Sequence, residues 1–516
     1  AIGRMTKKSP VGAFSFFGKT APFKIGGWLN AVIPMLIVPY YSTIGGWVIK
    51  YLVAYLSGKV QVVAEDGYFS AFISDSWQAE LWFIVFAALV FIIILGGVKN
   101  GVELMSRIMM PILVVLSFLI TAYSVTRPGA LSGVKYFLIP NPENFSWMTV
   151  VTAMGQMFYS LSIAMGILVT FGSYMKKDVS IEGSTQNVEI FDTAIAMMAG
   201  LMIIPAVFAF SGGNPDTLQA GPALMFITIP KVFASMGFGT LVGILFFILV
   251  LCAALTSSIA LTESAVSTFQ DELKWGRKKA TVFVGIIMVV LGSLSSLGYG
   301  PLACVKIIGM QFLDFFDFLT NSVMMPIAAI ATCLLISRVV GTKKIEEEVL
   351  QEGGTFRRKR IFNFMIQYLC PIFAAIILFC GMFTHLFFMR GVTTVTVLET
   401  GDSTALLLER EGHSGLLITG NEKRTMRSVE YSLRERGIRK LDFILLPSSD
   451  DGCVWGMGQL GDSEMKQVAA PSEGKYVYQL DAFVPADKRL DWPVTGDLTF
   501  WNDCRLERGT AGWLRL

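Results

Sequence analysis

Charge is scarce in this chain of 516 residues: Asp, Glu, Lys and Arg make up 16% of it, against 53% hydrophobic residues and a mean hydropathy of +0.59. A soluble protein of this length carries more polar surface, so most of the chain is expected in a membrane. Histidine is scarcer still. His385 and His413 are the two in the whole sequence, which excludes metal centres assembled from several imidazoles. The seven cysteines sit singly. Cys252, Cys304, Cys333, Cys370 and Cys380 fall within or beside apolar runs and read as small packing residues. Cys453 and Cys504 lie in a polar tail and are able to form a disulfide if that tail is extracytoplasmic, although the spacing does not fix their separation. Also lacking are an initiator Met, a signal peptide and a complete hydrophobic span ahead of Arg4, so a preceding segment is expected.

What is present is a series of apolar runs, near 27–55, 79–97, 107–126, 146–173, 188–211, 238–268, 281–299, 309–337 and 363–384. Each reaches the length of about 20 residues that crosses roughly 30 Å of hydrocarbon, giving about nine spans, several interrupted by Gly or Pro. The basic residues fall on alternate connections: Arg4, Lys7 and Lys8; Lys99 and Arg107; Lys176 and Lys177; Lys274, Arg277, Lys278 and Lys279; Lys343, Lys344 and Arg357 to Arg360. By the positive-inside rule these connections are cytoplasmic, the N-terminal end is cytoplasmic, and an odd number of spans leaves the C-terminal end outside. The basic clusters are short and scattered, which argues against a nucleic-acid partner for the membrane domain. Near Gly391 the composition changes to the period-two pattern of strands, at Val392 to Leu398, Ala405 to Leu408 and Leu416 to Thr419, with an amphipathic helix expected over Asn421 to Arg436 and a buried strand at Leu441 to Leu446. Two domains follow: a helical membrane domain over 1–390 and a small α/β domain over 391–516.

Three features carry chemistry. Thr256-Ser257-Ser258 interrupts the apolar run from Gly243 to Leu261, and hydroxyls stranded at membrane depth are either ligands for a desolvated cation such as sodium or bond back to their own helix. The run from Gly155 to Gly166 gathers Gly and Ser at the middle of a span. It either unwinds to expose carbonyls and a half-helix N-terminus to a zwitterion, or lets two helices approach closely. Asp192, Asp314 and Asp317 lie at or near membrane depth, where an uncompensated carboxylate is costly. Asp192 reads as a cation ligand or charge balancer, while Asp314 and Asp317 are near enough to an end for solvation or a salt bridge. The apolar run Pro222 to Pro230 is too short to span and suits a lid over an outer vestibule.

Gly155-Gln156 through Tyr174, Leu255-Thr256-Ser257-Ser258-Ile259-Ala260, Asp271-Glu272-Leu273, the Ala1-Ile2-Gly3-Arg4 opening and Tyr40-Tyr41 together resemble the neurotransmitter:sodium symporter family. The resemblance covers about residues 1–385, lacking the first span and most of the second. It implies a mainly α, polytopic LeuT-fold bundle and sodium-coupled symport of amino acids or related amines by alternating access, with no enzymatic activity. Carried over by position, it implies that the Ala253 carbonyl, Thr256 and Ser257 hold one sodium, and that Ser160 and, with a one-residue shift, Asp192 contribute to a second. Asp192 would then supply the negative charge that makes chloride unnecessary. Tyr41 would donate to the substrate carboxylate, Tyr159 would form the aromatic lid, Ile37, Ser162, Met165 and Leu261 would wall the side chain, and Ser160 would sit beside it. Gln156 and Asp317 resemble outer-gate residues and Asp271 the inner-gate acid. The family's first span would lie upstream of Ala1, with the Arg partners of Asp317 and Asp271, so half of each cation shell would be missing and the chain as written is expected not to transport.

The tail resembles, more faintly, the metallo-β-lactamase-like domain of competence proteins of the ComEC type, through Val395 to Asp402, Leu416 to Gly420 and Arg436 to Leu446. Where that family places its His-x-His-x-Asp-His motif, this chain has Pro447 to Cys453, so the tail is expected to be degenerate, with Asp450 and Asp451 in a turn and His413 a turn residue. Three functions are thereby in view. They are a sodium-coupled amino-acid symporter embedded in the bilayer, a membrane-anchored extracytoplasmic DNA-uptake or hydrolase-like protein acting through the tail, and a membrane sensor that binds amino acid without moving it.

Overall fold

The structure, a computed structural model, describes residues 1–383 apart from 66, 143–144, 214–220 and 352–354, and beyond 383 the strands of the tail with a few residues between them. Cys453, Cys504, Asp450, Asp451 and most of the stretch Asn421 to Arg436 lie outside the described residues. The chain divides into two compact units, one of residues 1–69, 77–296 and 312–383, the other of 70–76, 297–311 and 384–516.

The first unit is helical. Its long helices are α1 (Ala21–Leu56), α2 (Ser76–Leu95), α3 (Val98–Val125), α6 (Ile181–Ser211), α7 (Gly239–Leu273), α8 (Arg277–Leu297), α9 (Phe312–Val340) and α10 (Lys359–Met382), each apolar and long enough to cross a membrane. The ninth apolar run is present but split into α4 (Trp147–Ser160) and α5 (Ile167–Tyr174). Local chemistry sets the boundaries. Ser146 opens α4, accepting from the Thr149 N–H at 3.3 Å, and Ser180 opens α6, accepting from the Gly183 N–H at 3.1 Å. Gly212, at φ 68°, ends α6 in the left-handed conformation. α1, of 36 residues, runs to about 54 Å, longer than the hydrocarbon thickness, and tolerates Pro34 and Pro39 within it because neighbouring helices enclose it. Its most apolar stretch is 78% buried whereas that of α10 is 6% buried, which puts α1 at the centre of the bundle and α10 at its periphery.

Two features clamp the bundle. Tyr51, Tyr55, Phe226, Phe233, Phe246 and Phe247 form an edge-to-face aromatic cluster that holds the helical segment Leu224–Ser235 against α1 and α7. The Tyr51 hydroxyl completes it by donating to the Phe226 carbonyl at 2.8 Å. The apolar run expected to serve as a lid thus forms a helix anchored by these aromatics. The second clamp is ionic. Buried Arg4 donates from Nε to Glu348 Oε1 at 2.5 Å and from Nη1 to the Val179 carbonyl at 2.8 Å.

The tail sheet has the order β1 (Thr394–Glu399), β2 (Thr404–Arg410), β3 (His413–Ile418), β4 (Lys440–Leu445), β5 (Glu464–Ala470) and β6 (Arg489–Asp491). β1 to β3 pair antiparallel and β3 to β6 parallel. Leu407, Leu416, Ile418, Leu441 and Ile444 supply a core against Val429 and Leu433. Three shorter strands, Gly496–Thr499, Arg505–Arg508 and Leu514–Arg515, form a second sheet. His413 lies at the start of β3, not in a turn. Its Nδ1 is 2.8 Å from Asp442 Oδ2, and Lys466 pairs with the other carboxylate oxygen.

Candidate functional site

The site is built around the interruption between α4 and α5. The last residue of α4 is Ser160, and the connection Leu161 to Gly166 holds Ser162, Ala164 and Gly166 at φ 53°, 61° and 73°. Two left-handed non-glycine residues so close together cost of order 1–3 kcal/mol each and cluster at functional breaks. Gly166 cannot be replaced without strain. Besides its positive φ, a Cβ there would stand 2.7 Å from Pro10 Cγ and 2.8 Å from the Asn30 carbonyl.

The break brings Ser160 to Asp192. The Ser160 hydroxyl donates to Asp192 Oδ1 at 2.6 Å, the short distance of a charge-assisted bond. The same region of α1 presents consecutive tyrosines to opposite partners. Tyr41 lies with its hydroxyl beside the Ser257 side chain of α7. Tyr40, 2% exposed, donates to Asp317 Oδ1 at 3.1 Å and lies 3.4 Å from Thr320 Oγ1. The Tyr159 hydroxyl sits beside that of Tyr40 and faces Tyr41 and Asp317. Asn321 adds a donor to Asp317 at 2.6 Å, so four elements, α1, α4, α7 and α9, meet through hydroxyl and carboxylate groups. Ile37, Met165 and Leu261 are buried, Ser162 is half-buried, and Gln156 is exposed on α4.

Thr256 behaves differently from Ser257. Its hydroxyl lies 3.0 Å from both the Cys252 and Ala253 carbonyls of its own helix, the back-bonded arrangement that the sequence left as one of two readings. Ligation and back-bonding are compatible, because a hydroxyl that donates its one proton keeps two lone pairs, as does a carbonyl. Ser258, fully buried, has no hydrogen-bond partner for its hydroxyl among the described residues.

Sequence reasoning missed three partnerships. Asp271 accepts from the Ser9 backbone N–H at 2.5 Å; the Ser9-Pro10 pair that opens the helix Pro10–Phe17 was the available signal. Glu263, fully buried in α7, receives two bonds from Arg277, at 2.6 and 3.1 Å, and one from the Tyr174 hydroxyl at 2.8 Å. Tyr174 ends α5, and one turn earlier Thr170 meets Ser264 and Ser267 at 3.2 and 3.4 Å, so hydroxyls line the α5–α7 seam from the break to Arg277. No periodicity marks such a seam, since its residues are ordinary helix-packing types.

A helical membrane bundle whose interrupted span faces hydroxyls and a carboxylate on its neighbours defines a secondary transporter. A profile of the sodium:neurotransmitter symporter family matches residues 67–389. An uncharacterised sodium-dependent transporter of Bacillus subtilis is 32% identical over 389 residues, 74% of this chain and 84% of its own length. One from Methanocaldococcus jannaschii is 27% identical over 68% of this chain and 72% of its own. The crystal structure of MhsT in complex with L-phenylalanine superposes with a TM-score of 0.65 at 33% identity, covering 74% of this chain and 86% of that one. The chain belongs to the sodium:neurotransmitter symporter family. Its fold is the LeuT-type bundle followed by a small sheet-containing tail, and it is a multi-pass membrane transporter rather than an enzyme.

Proposed function

We propose that this chain binds an L-amino acid or related small amine at the break between α4 and α5 and couples its movement to sodium by alternating access. The observation that carries the reading is the Ser160–Asp192 bond of 2.6 Å, which holds a carboxylate at the point where the helix opens its backbone. Ala253, Thr256 and Ser257 serve one sodium, and Ser160 and Asp192 a second. Because Asp192 brings a fixed negative charge, chloride is not required. Tyr41 receives the substrate carboxylate, Tyr159 covers it, and Ile37, Ser162, Met165 and Leu261 bound the side chain, with an adaptable thioether among them. Asp317 and Gln156 belong to the outer gate and Asp271 to the inner one. The L-phenylalanine in the MhsT structure supports an amino acid as ligand.

The alternation of basic loops supports a cytoplasmic N-terminal end and an extracytoplasmic tail, with residues 1–390 as the transport domain and 391–516 as an appended α/β domain. The tail is read as metallo-β-lactamase-like without catalysis. Its His413 is engaged by Asp442, which leaves the hydrolase alternative without a supporting observation.

The test is equilibrium binding of labelled L-amino acids to the purified chain in sodium, potassium and sodium gluconate. Binding is expected in sodium, lost in potassium and unchanged when gluconate replaces chloride. Equal binding in sodium and potassium would contradict the coupling, and loss in gluconate would contradict the role given to Asp192.

A further inference from the structure

We propose that Cys333 on α9 and Cys370 on α10 form a thiol pair that hydrogen peroxide closes into a disulfide, tying the two helices together. The two thiols are close neighbours, Cys333 buried and Cys370 half-buried. The helix pairing puts them there independently. Where α9 and α10 meet at Ser322 and Gly381, a Cβ on Gly381 would stand 2.9 Å from Ser322 Cβ, nearer than the roughly 3.5–4.5 Å that separates the Cβ atoms of a disulfide. Cys333 lies 11 residues after Ser322 and Cys370 11 residues before Gly381, so antiparallel helices in that register bring the two cysteines opposite each other, about 16 Å along the seam. The same register sets Ala329 opposite Ala374, both buried. Small residues thus meet at three levels of the seam and let the backbones approach there. Cys304 instead turns its thiol to the Pro301 carbonyl at 3.9 Å.

The chemistry balances in two steps. The sulfur of Cys370, the more accessible of the two, displaces one oxygen of the peroxide, giving a sulfenic acid and one water. The sulfur of Cys333 then displaces the sulfenic oxygen, which leaves as a second water. Two thiols lose two electrons and two protons, and one peroxide becomes two waters. Peroxide is small and crosses bilayers, so the pair is reachable within the membrane.

The full chain with a protease site inserted between Leu350 and Thr355 is treated with peroxide, cleaved, and run on a non-reducing denaturing gel. The two fragments are expected to stay joined, to separate after dithiothreitol, and to separate without it in C333S and in C370S. In the unmodified chain, mass spectrometry is expected to find the Cys333 and Cys370 peptides linked. Separation of the fragments after oxidation of the parent chain overturns the proposal, as does joining that persists in either single variant. Cys370 found as a lone sulfinic acid in the unmodified chain overturns it equally.

Discussion

Asp192 and Ser160 are 32 residues apart in sequence and 2.6 Å apart in the fold, and each depends on the other for its role. A charge-assisted bond of this kind contributes about 1.5–3 kcal/mol when sheltered, and less here because Ser160 is exposed. S160A is therefore expected to weaken sodium-dependent amino-acid binding roughly tenfold, about 1.4 kcal/mol, with only a small loss of thermal stability. A loss of stability without a loss of sodium dependence would reassign the pair to packing. Arg4 and Glu348 are the opposite case, a buried pair whose disruption is structural. R4A is expected to cost about 3–5 kcal/mol by leaving the Glu348 carboxylate uncompensated, and the double exchange R4M/E348L much less, measured by unfolding in detergent. At this scale the sequence was half legible. Residue types at Thr256, Ser257, Tyr41 and Asp192 were readable, because hydroxyls and acids in apolar runs are expensive. Their partners were not: nothing in the spacing joins Ser257 to Tyr41, or Asp271 to a backbone N–H 262 residues away.

Among elements, the break between α4 and α5 was visible as Gly and Ser within an apolar run, because those residues neither hold a helix nor fill space. Its geometry depends on Gly166. G166A places a methyl against the Asn30 carbonyl at φ 73° and is expected to lower thermal stability and to abolish amino-acid binding; retained binding would show that the break relaxes freely. The tail strands β1 to β3 were legible through alternation and β4 as a buried apolar run, whereas β5, Glu-Met-Lys-Gln-Val-Ala-Ala, has neither signal and was missed. Asp442 joins β4 to its neighbours. Burial alone would raise its pKa, but Lys466 and His413 outweigh that and hold the carboxyl below the usual range. A carboxylate with a lowered folded pKa stabilises fully above the unfolded value of about 3.9 and loses that contribution as pH falls through the folded pKa. D442N should therefore speed hydrogen exchange in β3 to β5 at neutral pH, with the difference shrinking under acid; a difference independent of pH would remove the ion pairs as its cause.

For the whole molecule, the apolar runs fall where the described residues form eight helices long and apolar enough to cross a membrane and the split pair α4 and α5, because membrane crossing imposes a length on every helix. Hydropathy did not reveal that α1 is enclosed and α10 peripheral, since the enclosed helix has the lower hydropathy of the two, 1.5 against 2.1. What makes the bundle a transporter rather than a scaffold is coupling between two ligands, and coupling is reciprocal: whatever factor sodium adds to amino-acid affinity, the amino acid must add to sodium affinity. The most direct measurement is binding of radioactive sodium to the purified chain with and without a saturating L-amino acid, alongside amino-acid binding with and without sodium. The expected result is an equal gain in both directions, with both gains diminished in S160A. Sodium binding that ignores the amino acid, or amino-acid binding that ignores sodium, would contradict the site as assigned.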